Sequence, residues 1–412
     1  MKHFFASIVV ILASIFMSGC HGRGSSAPAP NNVTVVAGDT SATVTWSMVP
    51  GVDYWVFKAA GTDVTPLSCY QLSQCQMLMH AVSPTVVSGL ANGTVYSFTI
   101  NGRIDGGKGG PGSPSIQATP RLAGAIWSTG APAGANDLRG VAFGSSATYG
   151  NIFIAVGVTG ALFSSTNGIN WTALVNPLPA VTLNAVTYYG GKYLAVGAGG
   201  VILLSTDGIT FTPQTSGTGN ALNAVTNNGL GLFVATGATG TIITSPDGIS
   251  WTVVSPVTTN ALYGITYGNS KFVAVGAAGT LLTSTDGSNW QTITTFSTAA
   301  SLKGVAYGAV SGTSSVVPTF AALGDTGTLV TSIDGGATWV LQTAIASAPP
   351  FNAITYGHQF IAVSNVGSIF ASTDGLAWTS VTSPASTPLY AVTHGPYDYS
   401  AVGATGLNLY SK

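Results

Sequence analysis

The sequence predicts an all-β fold, and three observations support this prediction: the balance of residue types, short alternating apolar runs before residue 120, and an internal repeat after it. Charged side chains make up 6% of the 412 residues, and all 12 acidic residues are aspartate. Helices favour Glu, Lys and Arg, whereas strands favour Val, Thr, Ile and aromatic residues. The lack of glutamate therefore favours strands throughout the chain.

The charge balance excludes one class of partner. The formal net charge is −1, and the chain has only 11 lysines and arginines. A nucleic-acid-binding surface needs a basic patch or stripe that neutralises phosphates, whereas these residues are scattered along the chain. Nucleic acid is therefore not expected as a partner.

The first 20 residues have the pattern of a leader. Lys2 precedes an apolar run, residues 4–17, that is short for a bilayer core of ~30 Å and is typical of a signal peptide. The Met-Ser-Gly-Cys sequence that follows resembles the lipobox of bacterial lipoproteins, with an ordinary cleavage site as the alternative. The resemblance implies a lipid anchor at Cys20 and, because His21 rather than Asp follows, the outer membrane. Residues 21–31, small and Pro-rich, predict a flexible tether.

Residues 32–120 predict a small β-sandwich. Short alternating runs recur about ten residues apart, which is typical of sandwich strands. Cys69 and Cys75 lie in this region without CxxC spacing, and His80 is the lone histidine nearby. In an oxidising compartment the two cysteines are expected to form a structural disulfide rather than a redox or metal site.

The same segment resembles a fibronectin type III domain. Trp46 stands where that family has a core tryptophan on its second strand, and Tyr54 fits the third strand. The stretch from Leu90 through Tyr96 matches the tyrosine-corner region of the family. Residues 68–79 depart from the family pattern, so the strands there are not assigned. The resemblance implies a fibronectin type III-like sandwich.

Residues 121–412 contain one unit repeated seven times. Each copy opens with a phrase such as Leu-Asn-Ala-Val-Thr-Tyr, followed by two further strand patterns and an aromatic residue that begins a fourth. The phrases start at Leu138, Leu183, Leu222, Leu262, Leu302, Phe351 and Leu389. Four short strands in each of seven copies of ~40 residues predict a seven-bladed β-propeller.

Six copies carry a box of the form Ser-x-Asp-Gly before the fourth strand. It resembles the Asp-box of sialidases, sortilin-type receptors, xyloglucanases and photosystem II assembly-factor propellers. In such a turn Ser and Asp side chains cap backbone amides, Gly takes a positive φ and the aromatic residue anchors the turn. A calcium loop or a row of catalytic acids is the alternative, which the asparagine in the first box opposes. The boxes hold Asn167 with Trp171, Asp207 with Phe211, Asp247 with Trp251, Asp286 with Trp290, Asp334 with Trp339, and Asp374 with Trp378.

The seventh copy lacks a box, because the sequence ends at Lys412 where the box would begin. The missing fourth strand is expected from the front of the domain, at residues 125–127, where Trp127 is otherwise unexplained. Closure of the ring by this N-terminal strand removes exposed sheet edges.

Few residues remain as candidates for a ligand or catalytic site. Asp325 lies in the turn between the second and third strands of the fifth copy, and Asp137 lies in the linker before the first. Both are expected on the ligand face of the propeller. They are nearly opposite around the ring, whereas a glycosidase pair lies ~5–9.5 Å apart. Solvated loop carboxylates are the alternative interpretation.

Other polar and aromatic residues carry weaker indications. His358 and His394 are single histidines, whereas a metal site needs several converging ligands, so no metal or cofactor is expected. The tyrosines that close four opening phrases are interpreted as packing residues, with stacking on sugars as the alternative. They are Tyr188, Tyr267, Tyr307 and Tyr356.

The residue inventory argues against catalysis. Sialidases use an arginine cluster and a Tyr/Glu pair, whereas the repeats hold one arginine, Arg139, and no glutamate. The repeats resemble most those of the photosystem II assembly-factor family in amino-acid sequence. The arginine-rich patch that members of that family present to a partner is absent from this sequence. The predicted function is a non-catalytic binding, scaffolding or adhesion lipoprotein of the bacterial envelope, whose propeller face binds a protein. The alternatives are a glycan-binding propeller and a glycoside hydrolase or lyase that uses Asp325.

Overall fold

The computed structural model describes residues 24–61, 63–146, 149–311, 316–395 and 399–411. The leader and the predicted lipidation site, Cys20, lie outside these ranges. The chain divides into two compact units between Leu122 and Ala123, two residues beyond the boundary predicted from the sequence. Within the described ranges, no helix is both long and apolar enough to cross a membrane.

The first unit is built from two antiparallel sheets, β1-β2-β5 and β4-β3-β6-β7. One short helix, α1 (Pro66–Cys69), follows β3, and a disulfide joins Cys69 to Cys75. In chain order the strands are β1 (Thr34–Gly38), β2 (Ser41–Thr45), β3 (Val52–Ala60), β4 (Gln76–Ala81), β5 (Thr85–Ser88), β6 (Tyr96–Ile104) and β7 (Ile116–Ala118).

Alternate residues of both sheets fill the core of this unit, as the two-residue period of a strand requires. Val44, Val56 and Ile100 have no exposed surface, and Trp46 and Tyr54 are buried beside them. The first unit is therefore a two-sheet sandwich with one apolar core.

The segment predicted as a flexible tether is partly packed onto the sandwich, in contrast to the prediction. Ser26 forms a bridge with Arg103, and the Ala27 side chain is 2% exposed. The physical reason is an open strand edge. Strand β7 pairs only with the first three residues of β6, so the edge at Gly102 remains available. The Ala27 N–H donates to the Gly102 carbonyl at 3.3 Å.

The described part of the second unit contains seven four-stranded antiparallel sheets. The innermost strands are β9 (Leu138–Ser146), β13 (Leu183–Tyr189), β17 (Leu222–Asn227), β21 (Leu262–Gly268), β25 (Leu302–Ser311), β29 (Phe351–Tyr356) and β33 (Leu389–His394). The second strands are β10 (Gly150–Gly157), β14 (Lys192–Gly197), β18 (Phe233–Gly237), β22 (Lys271–Gly276), β26 (Val316–Gly324), β30 (Phe360–Ser364) and β34 (Tyr399–Gly403).

The two outer strands of each sheet are shorter. The third strands are β11 (Leu162–Ser165), β15 (Ile202–Ser205), β19 (Ile242–Ser245), β23 (Leu281–Ser284), β27 (Leu329–Ser332), β31 (Ile369–Ser372) and β35 (Asn408–Ser411). The outermost strands are β12 (Thr172–Ala173), β16 (Thr212–Gln214), β20 (Thr252–Val254), β24 (Gln291–Thr292), β28 (Val340–Leu341), β32 (Thr379–Val381) and, in the last sheet, β8 (Trp127–Thr129).

The innermost strands contact one another in a closed ring, from β9 through each sheet in turn to β33 and back to β9. Sheets in this arrangement are covered on both faces, so all five residues of β18 and all four of β15 are buried. The hydrophobic clusters accordingly combine residues of neighbouring sheets. This is the architecture of a β-propeller, and it explains why Ala, Val and Leu dominate strands that carry few charges.

The six boxes form one kind of turn between the third and outermost strands. In the second sheet the Gly208 N–H donates to Ser205 Oγ at 2.8 Å, and the serine hydroxyl donates to Asp207 Oδ1 at 2.9 Å. The same Oδ1 accepts the N–H groups of Ile209 and Thr210 at 2.8 and 2.7 Å. Box side chains thus satisfy the backbone donors of the turn.

The last sheet contains a box that is split between the two ends of the domain. Ser411 occupies the serine position, and its Oγ accepts the Gly124 N–H at 2.7 Å. Trp127 occupies the aromatic position, and its Nε1–H donates to the Gly124 carbonyl at 2.9 Å. In the fourth sheet, Trp290 donates to Gly287 in the same way at 2.8 Å.

The split box explains why Trp127 lies in the last sheet. It is 6% exposed and packs against Tyr399, with ring centroids 6.4 Å apart. Strand β8 pairs with β35 in the register Ser411 opposite Trp127. Ala123 stands at the aspartate position of this box and is fully buried. The ring is therefore closed by residues from both ends of the repeat region.

Candidate binding site

The two ends of the propeller present different parts of the repeat. Because the four strands of a sheet alternate in direction, the boxes lie at the same end as the turns between the first and second strands. Each opening phrase begins at the other end, beside the turns between the second and third strands. The second residue of each phrase therefore lies near this other end, and the sixth lies near the box end.

The second residues of the seven phrases surround one polar cavity, which we call the mouth ring. The cavity has a volume of about 310 Å³. The seven residues of the mouth ring are Arg139, Asn184, Asn223, Tyr263, Lys303, Asn352 and Tyr390. One residue comes from each sheet, so the ring exists only when the propeller is closed.

Two cations in the mouth ring lie over tyrosines of the preceding sheet. Lys303 Nζ is 4.2 Å from the ring centroid of Tyr263, and the guanidinium carbon of Arg139 is 5.7 Å from that of Tyr390. A cation over an aromatic face is attracted by about 0.5–1 kcal/mol at an exposed site. Neither cation forms an ion pair with a carboxylate in the described ranges. The tyrosines thus position two positive charges whose donors remain available.

The three asparagines connect neighbouring sheets. Each Nδ2–H donates to the carbonyl of the first phrase residue in the next sheet: Asn184 to Leu222 at 2.9 Å and Asn352 to Leu389 at 2.8 Å. Asn223 makes the corresponding bond at 2.9 Å. These bonds hold the inner strands together at the end where the mouth ring lies.

A second cavity, which we call the throat, shares all seven residues of the mouth ring and extends to the residues that follow them. Its volume is about 170 Å³, and its further lining is the third phrase residue of six sheets and the fourth phrase residue of four. The fourth residues are Val or Ile, and Val141, Val186 and Val305 are 6 to 8% exposed. The third residues are Gly or Ala, which allows the inner strands to approach closely; a Cβ on Gly140 would lie 2.9 Å from Ala185 Cα.

The sixth phrase residues, at the box end, pack instead of lining a cavity. The four tyrosines considered for sugar stacking lie against an aromatic residue of the second strand, with ring centroids 4.7 to 4.9 Å apart. Burial raises the pKa of Tyr356, and its hydroxyl donates to the Ala309 carbonyl at 3.2 Å. The residue after such a position is often glycine: a Cβ on Gly268 would lie 2.0 Å from Tyr307 Cγ of the next sheet.

The two aspartates singled out from the sequence do not line the mouth-ring cavity. Asp137 Oδ1 accepts the Thr405 N–H at 3.0 Å. Burial raises the pKa of Tyr390, and the nearby Asp137 carboxylate raises it further. Asp325 begins the tight turn after β26, where its carbonyl accepts the Thr328 N–H at 3.0 Å. The structure therefore does not bring these carboxylates together as an acid–base pair.

The box aspartates are ionised and committed to their turns. The N–H groups of Ser250 and Ile249 lower the pKa of Asp247 to about 2. For Asp207, burial opposes ionisation, but the N–H groups of Thr210 and Ile209 outweigh it and lower the pKa to about 2. Asn167 accepts the equivalent N–H groups at 2.9 and 3.0 Å as a neutral amide. The turn therefore requires an acceptor oxygen and not a charge.

The rings of His358 and His394 lie against each other. The ring centroids of His358 and His394 are 5.3 Å apart and their planes are nearly perpendicular. The described ranges contain no group of three His, Cys, Asp or Glu side chains that could hold a metal ion.

A larger cavity lies at the box end between the fourth and fifth sheets, and it is a weaker candidate. It measures about 620 Å³ and is lined mainly by hydroxyl and amide side chains with Lys271 and Trp290. Lys271 Nζ already donates to the Gly336 carbonyl at 3.1 Å, and Trp290 is 7% exposed. Its polar groups thus serve the turns around it.

The mouth ring was not among the residues predicted from the sequence. Its signal is present in the repeat, because the second phrase position alone changes among Arg, Asn, Tyr and Lys while its neighbours remain apolar or small. The packing of a strand whose third and fourth residues are small or apolar does not explain a polar side chain at its second position. The variation at this second position becomes visible when the seven phrases are aligned residue by residue.

Comparisons with solved structures show a β-propeller fold over about 70% of the chain. No family model matches the sequence, and no curated protein matches it. YCF48 from Cyanidioschyzon merolae is similar in structure, with a TM-score of 0.56, 17% identity, and coverage of 70% of this chain and 99% of that one. YCF48 bound to D1 peptide gives a TM-score of 0.56 and 17% identity, with coverage of 69% and 96%.

A third similar structure has a different function. Virginiamycin B lyase from Staphylococcus aureus gives a TM-score of 0.58 and 10% identity, with coverage of 70% of this chain and 99% of that one. At these identities the shared feature is the β-propeller fold, because unrelated activities occur on one fold. Function must therefore be argued from the site.

Proposed function

We propose that this chain is a non-catalytic scaffold or adhesion lipoprotein of the bacterial envelope, whose seven-bladed propeller binds a protein partner at the mouth ring. The observation that carries this proposal is the mouth ring itself. It gathers seven side chains from seven sheets around one cavity, with two cations that lack a carboxylate partner in the described ranges. Polar groups converging on a cavity are the usual mark of a binding site.

Two further observations favour binding over catalysis. The box carboxylates are engaged in their turns, as at Asp207, and Asp137 accepts the Thr405 N–H. The described residues that line the mouth-ring cavity include no carboxylate that could act as a general acid or base. Among similar structures, YCF48 bound to D1 peptide is a propeller with a peptide ligand. That example supports a peptide as the ligand of this chain.

The sandwich is proposed to be a fibronectin type III-like spacer between the lipid anchor and the propeller. Support comes from Tyr96, whose hydroxyl accepts the Ala91 N–H at 3.1 Å. A tyrosine that bonds to backbone a few residues upstream is a known feature of such sandwiches.

A photo-crosslinking experiment tests the proposed function. The full chain carries a photoreactive phenylalanine analogue in place of Tyr390 at the mouth ring, or in place of Ile249 in a box as the matched control; Ile249 is 52% exposed. We expect a discrete protein adduct in the envelope from the first position and none from the second. The partner, identified by mass spectrometry and purified, should form the same adduct with the purified chain. Equal labelling from both positions, or adducts with glycans alone, would refute a protein partner at the mouth.

The lipid anchor has a separate test. Cys20→Ser should release the protein from the membrane fraction and abolish labelling with a radioactive fatty acid, because acyl chains are the only anchor in this proposal. Unchanged membrane association without fatty-acid labelling would show another form of attachment.

A further inference from the structure

We propose that the mouth ring recognises a peptide carboxylate, held between Arg139 and Lys303, with a small aliphatic group next to it in the throat. This inference rests on the proposed function and deepens it by naming the chemistry of the ligand. Three features of the described residues support it: two cations without an ion-pair partner, apolar residues in the same cavity, and the position of the cations over the tyrosine faces.

The first feature is charge. The mouth ring contains two cations and no acidic residue. The nearest carboxylate discussed above, Asp137, does not line the cavity and is engaged by the Thr405 N–H and by the Tyr390 side chain. Hydrogen bonds between a charged donor and a charged acceptor are about twice as strong as neutral ones. An anion entering the cavity therefore gains from both cations, whereas a cationic or neutral group leaves them unsatisfied.

The second feature is the throat. Its 170 Å³ are lined by Val, Ile, Ala and Gly of the inner strands together with the seven mouth-ring residues, which include both cations. A cavity of ~150 Å³ with apolar walls is large enough for a benzene-sized group. A valine, leucine or isoleucine side chain beside the carboxylate fits this space, and its burial adds to affinity at about 25 cal/mol per Å².

The third feature distinguishes a peptide from a sugar. A sugar needs an open aromatic face, but Lys303 Nζ lies 4.2 Å above the Tyr263 ring and Arg139 covers Tyr390. Stacking would displace the cations that make the mouth positive. A carboxylate, in contrast, is attracted by the cations and does not compete with them for the tyrosine faces.

The carboxylate has two possible sources, the C-terminus of a peptide or an aspartate or glutamate side chain. Four fluorescent probe peptides separate them: one ending in Ser-Val with a free carboxylate, the same peptide as its amide, one ending in Ser-Gly with a free carboxylate, and an amidated peptide with internal Asp-Val. Each is titrated against the purified full chain at low and at physiological salt.

The expected result is binding of the free-acid Ser-Val peptide about tenfold tighter than of its amide, as one charged hydrogen-bond partner is lost. Binding of the amidated Asp-Val peptide instead would assign the site to an acidic side chain. Lys303→Ala and Arg139→Ala should each weaken binding about tenfold, while Lys303→Arg retains it. Lys108→Ala, which removes one cation from the sandwich, is the charge-matched control and should change nothing.

Several results would overturn the proposal. They are equal binding of acid and amide, equal binding of the Val and Gly peptides, preference for a phosphopeptide, an unaffected Lys303→Ala variant, or no binding of any probe at millimolar concentration. If one of these occurs while crosslinking at Tyr390 still captures a protein, the carboxylate hypothesis fails and the proposed function stands. If crosslinking fails as well, both fall.

Discussion

The two ends of the propeller differ in how far the seven repeats resemble one another. At the box end, six turns use the same kind of serine and glycine contact. At the mouth end, one position differs from sheet to sheet and its seven side chains meet in one cavity. The repeated turns at the box end contribute stability, because in each of them side chains accept hydrogen bonds from the backbone N–H groups of the turn. Variation at the other end supplies a surface that no single repeat contains.

The largest effect should follow from breaking the split box, the one place where the box end depends on both chain ends. Trp127→Ala is expected to lower the free energy of unfolding by about 3–5 kcal/mol, because it removes a buried tryptophan and the Gly124 contact. Chemical denaturation monitors the loss.

Ile126→Ala is the control for this variant, because the side chain is 48% exposed. It should change stability by less than about 0.5 kcal/mol. Equal effects of the two substitutions would show that Trp127 does not close the ring.

The next effect concerns the packing of the sixth phrase residues. Gly268→Ala should cost about 1–3 kcal/mol, since the new Cβ meets the Tyr307 ring of the next sheet. Elsewhere in the chain the position equivalent to Gly268 is a large residue, Tyr189. The residue of the next sheet that faces it is then the smaller Asn227, whose Nδ2–H donates to the Tyr188 carbonyl at 3.1 Å.

A double-mutant cycle tests this packing rule. Gly268→Ala combined with Tyr307→Asn should be less destabilised than the sum of the two single variants, by an interaction energy above about 0.5 kcal/mol. Additive effects would indicate that the two positions are independent, contrary to the packing described.

A smaller effect concerns acid stability. The pKa values of Asp207 and Asp247 are lowered in the folded state to about 2, below the ~3.9 of an unfolded chain. Their contribution is therefore complete above pH ~4 and is lost as the pH falls toward 2. Thermal unfolding between pH 5 and pH 2 should show a falling midpoint.

The first box provides the comparison, because Asn167 does not titrate. Asp207→Asn combined with Asp247→Asn should reduce the slope of the midpoint between pH 4 and pH 2, whereas Asn167→Asp should increase it. An unchanged slope in both variants would place the acid sensitivity outside the boxes.

The smallest effect on stability is expected at the mouth. Arg139→Ala with Lys303→Ala removes two exposed or half-buried cation–tyrosine contacts and should cost less than about 1 kcal/mol. Asn184→Ala removes a bond between sheets and should cost about 0.5–1.5 kcal/mol. Denaturation and peptide binding measured on the same samples separate the two roles. If the double variant loses more stability than Trp127→Ala, the main role of the two cations is to stabilise the fold and not to bind a ligand.

Much of the propeller could be predicted, because the same four-strand pattern recurs in seven copies of the repeat. The positions of the boxes, their aromatic residues and the four-strand unit follow from local patterns that every copy reinforces. The split box was less visible, since Ser411 and Gly124 are distant in sequence and neither completes the motif alone. The packed segment around Ala27 was missed because its Pro-rich composition says nothing about an open edge on β6.

By itself the sequence determined that the chain is all-β, that its repeats form four-stranded sheets, and that the aspartates of the boxes serve turns, because these properties depend on neighbours within one repeat. Only the tertiary structure decided what the second residue of each phrase does. A polar side chain on one inner strand has no evident role, and seven of them acquire one when the ring brings them around a single cavity. Convergence of residues separated by whole repeats is a property of closure, which no local pattern encodes.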